Sequence, residues 1–169
     1  MHKTQIAVEE LTDKKQIKNV LLVFKNCEFL SAMTDPDKID KFVEKLTTYG
    51  RIIAEYHDGV PVGFISFYDN NTTEKTAFIN AFALDDKLGF LKGKTMNRLA
   101  RHMVFTIHNK ADMQFVKIEV NKRNKLAIRL YEHLGFEYLP EDTEQTYFMK
   151  IEAEKLERNL GIKDGPDRK

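Results

Sequence analysis

Between Val120 and Phe136 the chain reads VNKRNKLAIRLYEHLGF, and this stretch holds the side chains best placed to do chemistry. Asn124, Ala127, Ile128 and Tyr131 fall at i, i+3, i+4 and i+7, so on a helix they share one face. That face sets an amide and a phenol two turns apart, with a small alanine between them that leaves room for something to lie along the helix. The phenol can give up a proton, its ordinary pKa being about 10. The amide oxygen can accept an unpaired first-turn N–H and so cap the helix. Leu126, Leu130 and Leu134 supply a second apolar stripe. Gly135 can take the left-handed conformation that ends a helix, and Phe136 can pack back over the last turn. Periodicity by itself favours an ordinary amphipathic helix whose tyrosine hydroxyl finds a partner.

A second candidate is Lys92-Gly93-Lys94-Thr95-Met96-Asn97-Arg98, between an apolar strand and a helix. Backbone amides at a helix N-terminus, with Lys and Arg close by, make a natural phosphate site. Gly89 to Thr95 also looks at a glance like a nucleotide loop. It has one residue too few between its glycines, and no later apolar strand ends in an obvious magnesium-binding Asp. The alternative is a solvated, charged loop with a helix cap.

The order of Asn124, Ala127, Tyr131 and Gly135-Phe136, directly after an apolar strand ending at Val120, resembles the acetyl-CoA-binding motif of the GNAT N-acetyltransferase superfamily. The resemblance covers roughly residues 4–151. It implies acetyl-CoA as cofactor, with Asn124 and Ala127 at the cofactor and Tyr131 as the acid that protonates the leaving thiolate. It also implies pairing of the pantetheine arm with the backbone of Phe82, Ala83 and Leu84, and a pyrophosphate turn over Lys92, Gly93, Lys94, Thr95, Met96, Asn97 and Arg98. In that turn the family pattern wants Gln or Arg where Lys92 stands, and Gly where Thr95 and Asn97 stand. Glycine allows close approach of the backbone, and threonine resists positive φ.

Where the family often carries a titratable base, the matching strand holds Phe78 and Asn80. Asn80 could orient a water or the substrate, and Glu119 on the next strand is the nearest well-placed carboxylate. Asp85 and Glu55 are weaker choices. Phe29, Ser31, Met33, Tyr68 and Tyr147 are the candidate substrate-binding residues. The implied activity is acetyl transfer to a small primary amine: an amino sugar, an amino acid or a polyamine. Alternatives are a protein N-terminus or lysine as acceptor, or a non-catalytic acyl-CoA-binding module.

Positioning these residues requires one mixed α/β sheet. Thr4–Val8 reads as a strand. Ile17, Val20, Leu21 and Phe24 repeat at helical spacing and predict a helix to about Phe29. Asp35-Pro36 is a helix start and Gly50 a stop. Arg51–His57, the turn signal Asp58-Gly59, Val60–Tyr68 with a weak point at Gly63, and Thr76–Leu84 make an antiparallel meander. Asp85–Lys94 reads as a charged loop. Thr95–His108 reads as a helix with Met96, Leu99, Met103, Phe105 and Ile107 on its apolar positions. Gln114–Val120 is a strand, Glu144–Ile151 is the last clear one, and Tyr138 belongs to a strand before it. The expected fold is an acyl-CoA N-acyltransferase type, mixed α/β (α+β), with a mostly antiparallel sheet, two splayed parallel strands and helices on both faces. Residues 1–151 form the expected domain, and 152–169 a charged tail in which Leu156 and Leu160 could form a short docking helix.

The chain has 169 residues, 42% hydrophobic and 31% charged, and a formal net charge of +1. That suits one globular domain and provides no global field for nucleic acid or membrane, so any anion site must be local. The single Cys27 excludes an internal disulfide and a multi-cysteine metal cage; it reads as a small buried hydrophobe. The N-terminus lacks a signal-type apolar core, and no segment has membrane-span length. The expectation is a cytoplasmic protein, monomer or homodimer, with no metal.

Overall fold

The computed structural model describes residues 2–28, 30 and 35–161. In chain order these form β1 (Ile6–Leu11), α1 (Lys14–Val23), α2 (Pro36–Tyr49), β2 (Gly50–His57), β3 (Val60–Asn71) and β4 (Thr76–Leu84). A 3-10 turn over Asp86–Leu91 leads into α3 (Lys92–Asn109). Then come β5 (Phe115–Asn121), α4 (Lys125–Leu134), β6 (Glu137–Asp142), β7 (Thr146–Glu152) and α5 (Ala153–Asn159). The seven strands form one sheet in the order β1-β2-β3-β4-β5-β7-β6, with β4 and β5 parallel, which is the mixed sheet the sequence leads one to expect. By contact the chain divides into two compact units, Met1–Phe67 with Ala81–Ala100, and Tyr68–Asn80 with Arg101–Lys169.

In the first unit β1 pairs antiparallel with β2, from Ile6 opposite His57 to Leu11 opposite Ile52. Asp58 and Gly59 both take positive φ (50° and 81°), the conformation that a two-residue hairpin turn demands. Asp13 caps α1 by accepting the Gln16 N–H at 2.9 Å. Asp35 caps α2 by accepting from Asp37 at 3.0 Å, with Pro36 in the first turn. Ile17, Val20, Leu21, Ile39, Val43 and Leu46 turn inward and are buried with Ile52, Ile53 and Phe64. Phe24 meets Phe64 edge-on at 5.4 Å between centroids. The first helix stops at Val23 rather than near Phe29: the apolar period ends with Phe24, and none of the described residues Lys25–Glu28 is buried enough to prolong the helix.

Gly63 is the predicted weak point of β3, and the structure shows why no side chain fits there. A Cβ would lie 3.0 Å from Leu84 Cδ2, 3.1 Å from the Ala83 carbonyl oxygen and 3.3 Å from Leu99 Cδ1. The missing side chain lets β3 close on the end of β4, where the Asp85 N–H donates to the Val62 carbonyl at 2.8 Å.

In the second unit β4 and β5 run parallel, but their ladder covers only Thr76–Phe115 to Ile79–Ile118. The other side of β5 is paired along its whole length, antiparallel to β7, from Phe115 opposite Glu152 to Asn121 opposite Thr146. Gly135 ends α4 at φ 98°, and the Phe136 N–H returns to the Tyr131 carbonyl at 2.9 Å. α5 is held by buried Ala153, Leu156 and Leu160, and Asn159 Nδ2 donates to the Leu134 carbonyl at 2.7 Å.

Three local expectations are corrected. The charged loop over Asp85–Lys94 is a 3-10 turn followed by a helix that already starts at Lys92, because Asp85 caps the turn by accepting the Lys87 N–H at 2.9 Å. Leu126 is 77% exposed and Phe105 37% exposed. Each stands two residues, about 200° of helix, from a buried neighbour (Ile128; Met103 and Ile107), so one face is buried in each helix and not two. Cys27 is half-buried, outside any helix; burial, then Asp86 and Asp85, push its thiol above the ordinary range.

Candidate active site

The first unit supplies the anion-binding candidate. α3 begins at Lys92, whose own N–H is taken by the Gly89 carbonyl of the preceding 3-10 turn, and no acidic residue stands in its first turn. Gly93 is exposed, and a Cβ added there would meet nothing within 4 Å. The side chain at Thr95 points the other way: the residue is fully buried and its hydroxyl donates to Glu55 Oε2 at 2.7 Å. One turn on, Arg98 grips the same carboxylate, Nε to Oε1 at 2.6 Å and Nη2 to Oε2 at 2.9 Å. His57 Nε2 lies 2.8 Å from Glu55 Oε2.

Glu55 is therefore a fully buried carboxylate with three side-chain partners. Burial pushes its pKa up, but the hydrogen bonds of Arg98, Thr95 and His57 outweigh it and hold the carboxyl below its ordinary range. An ionised, saturated carboxylate is a poor base, which removes Glu55 from that role. It also closes the nucleotide-loop alternative, since a buried Thr95 hydroxyl on Glu55 is not available to a magnesium ion. Sequence reasoning passed over this cluster. Its signal is the pair Glu55 and His57 at i, i+2 on a strand otherwise apolar around them.

The charges of the turn sort in the same way. Lys92 pairs with Asp86 at 2.6 Å and Arg98 with Glu55. Among the described residues Lys94 has no ion pair and is exposed, so it is the cation of the turn left to meet an anion. Neither Thr95 nor Asn97 has positive φ; both lie in regular helix. Phe82 and Leu84 are half-buried on one face of β4, alternating with buried Ala81 and Ala83 on the other. Met96 and Asn97 are half-buried.

The second unit holds the acid candidate. Asn124 caps α4: its side-chain oxygen accepts the Ala127 N–H at 3.2 Å, which leaves its Nδ2 without a hydrogen-bond partner among the described residues. Tyr131 is 8% exposed, and its ring meets Phe136 edge-on at 5.5 Å. Among the described residues its hydroxyl has no hydrogen-bond partner. Burial alone raises its pKa far above the usual phenol value, so it stays protonated through the neutral and mildly alkaline range. Ala127 is half-buried between these two.

The remaining candidates are dispersed over the second unit. Glu119 is on the exposed face of β5, where its Oε2 accepts the Thr146 hydroxyl at 2.7 Å. Asn80 is half-buried on β4. Tyr68 is half-buried, which raises its pKa. Tyr147 lies under Lys122, 4.9 Å from Nζ to ring centroid, and edge-on to Tyr138 at 5.1 Å. Phe29, Ser31 and Met33 lie outside the described residues.

These arrangements can be set beside known proteins. A family model described as "Acetyltransferase (GNAT) family" matches residues 17–136. Among solved structures, the chain is similar to the spermidine N-acetyltransferase of Vibrio cholerae in complex with CoA and spermine. The two are 15% identical with a TM-score of 0.67, over 90% of this chain and 98% of that one. It is also similar to the N-acetyltransferase PseH of Campylobacter jejuni in complex with acetyl coenzyme A, at 18% identity and a TM-score of 0.61, over 88% of this chain and 99% of that one. At these identities the likeness shows the fold. No curated protein matches the chain.

Proposed function

Because the chain belongs to the GNAT family of acetyltransferases, we propose that it transfers acetyl from acetyl-CoA to the primary amine of a small molecule, by direct attack in a ternary complex. The acceptor class is an amino sugar, an amino acid or a polyamine. The observation that carries the reading is α4 itself. It follows β5 directly and presents a capping Asn124 with an uncommitted Nδ2, a small Ala127, and a buried, protonated Tyr131 with no protein partner for its hydroxyl among the described residues.

The residues fit the cofactor. Within the first unit, exposed Gly93 and Lys94 at the start of α3 suit its phosphates, and the half-buried face of β4 at Phe82 and Leu84 suits its pantetheine arm; within the second unit, Asn124 Nδ2 is a donor free for an acceptor. Bound acetyl-CoA supplies an activated acyl group on a thiol leaving group. Attack of the amine on the acyl carbon breaks the carbon–sulfur bond, and Tyr131 holds the proton that the sulfur needs. Its raised pKa keeps that proton in place, and the same burial makes it a weaker acid. The proton lost by the amine leaves through ordered water to bulk or to Glu119.

The test is thiol release with a panel of small amines. Tyr131→Phe is expected to lower kcat about a hundredfold with little change in KM. Unaltered kcat would remove Tyr131 from the mechanism. An unchanged pH–rate profile in Glu119→Gln would exclude Glu119 as proton acceptor. A second reading, a non-catalytic acyl-CoA-binding module, is favoured by one observation: Lys92 and Arg98 are both committed within the protein, which thins the charge of the turn. Under that reading acetyl-CoA binds and no amine releases thiol.

A further inference from the structure

Thr95 and Asn97 stand where glycines are the rule, yet the first turn of α3 keeps its open side. The reason lies beneath it. Thr95 and Arg98 are i and i+3 on α3, on one face, and both end on Glu55 of β2, a residue with no solvent exposure. The Thr95 side chain, the one that could have crowded an anion, is drawn inward by a 2.7 Å hydrogen bond. Two donors of Arg98 fix the helix in rotation as well as in position, since the guanidinium and carboxylate planes meet through two bonds. His57 occupies the carboxylate from the side of its own strand at 2.8 Å. Gly93 stands across the helix from Thr95 and is exposed; Lys94, one turn before Arg98, is exposed as well.

We propose that Glu55 is the positioning residue of the cofactor-binding turn: it anchors α3 from below through Thr95 and Arg98, so that exposed Gly93 and Lys94 are presented to the phosphates of acetyl-CoA. The inference rests on the functional reading above. Glu55 touches no cofactor; it acts through the helix. In this chain the anchor does what glycines do elsewhere, clearing the turn by turning a side chain away instead of omitting it. An amide at position 55 can keep one contact but cannot bind Arg98 and Thr95 together as a charged acceptor, so the turn loosens without losing volume.

The experiment measures acetyl-CoA affinity by calorimetry, and KM and kcat by thiol release, for the full chain, Glu55→Gln, Thr95→Val and Thr95→Ser. The expected result for Glu55→Gln is Kd and KM for acetyl-CoA raised about tenfold, with kcat at saturating acetyl-CoA and KM for the amine within about twofold. Thr95→Val is expected to shift the same two constants about threefold, and Thr95→Ser, which restores the hydroxyl, to return them to wild-type values. Should Glu55→Gln fail to fold, the Val–Ser pair carries the test alone. Wild-type affinity in Glu55→Gln or Thr95→Val overturns the inference, as does Thr95→Ser behaving like Thr95→Val. A wild-type chain that does not bind acetyl-CoA overturns the functional reading and this inference with it.

Discussion

Among the described residues, protonation decides the behaviour of the two most deeply buried titratable side chains in opposite ways. Glu55 is buried with donors and stays ionised; Tyr131 is buried without them and stays neutral. The consequence for Glu55 is a stability that depends on pH with a fixed sign. Its folded pKa is depressed below the unfolded one, so its contribution is fully present above the ordinary glutamate range and is lost as pH falls through the lower, folded value. Acid titration of unfolding should show wild type losing stability below about pH 4 more steeply than Glu55→Gln. Equal slopes would mean that the carboxylate is not specially stabilised. A second consequence concerns the turn's lysines. Lys94→Ala should weaken acetyl-CoA binding about tenfold, the scale of one charge-assisted contact. Lys92→Ala should do much less, because Lys92 is already spent on Asp86. Calorimetry with the two variants side by side reads this directly, and a larger effect at Lys92 would contradict it.

At the scale of elements, α4 is the most constrained. Asn124 starts it, and Gly135 stops it at a φ of 98° that other residues resist. A Cβ at Gly135 would fall 2.7 Å from Asn159 Nδ2, the atom that donates to the Leu134 carbonyl. Gly135→Ala is therefore expected to cost about 2–3 kcal/mol, from the left-handed conformation plus the lost hydrogen bond. A shift in the urea midpoint at constant slope measures it, and an unchanged midpoint would show that Asn159 and the helix end yield freely. The caps, stops and hairpin turn were legible in the sequence, because each rests on a residue type with one local conformational advantage: Asp35-Pro36, Asp58-Gly59, Asn124 and Gly135. What was not legible depends on partners far away in the chain. Leu126 and Phe105 satisfy an apolar count, but only the packed helix shows which single face is covered. The start of α3 at Lys92 turns on a cap by Asp85 that composition had marked as loop. The Glu55 cluster joins positions some forty residues apart, and no local pattern links a strand glutamate to a helix threonine.

For the whole molecule, family and fold are settled by the match over residues 17–136 and by the sheet order. A net charge of +1 supplies no global field for anions, so the proposed phosphate site is a local one. Among the described residues no helix is long and apolar enough to cross a membrane. The choice of acceptor is the part that sequence chemistry carries least, since three of the five residues nominated for it lie outside the described residues and the other two, Tyr68 and Tyr147, carry no charge complementary to an amine. The most direct measurement is therefore made on the product. The full chain is incubated with acetyl-CoA and a mixture of amino sugars, amino acids and polyamines, and the mixture is analysed by mass spectrometry alongside thiol release. The account predicts one class of small amine acetylated in equal amount to the thiol released, with both lost in Tyr131→Phe. Binding of acetyl-CoA with no acetylated amine and no thiol released, or acetylation only of protein N-termini or lysines, would contradict it.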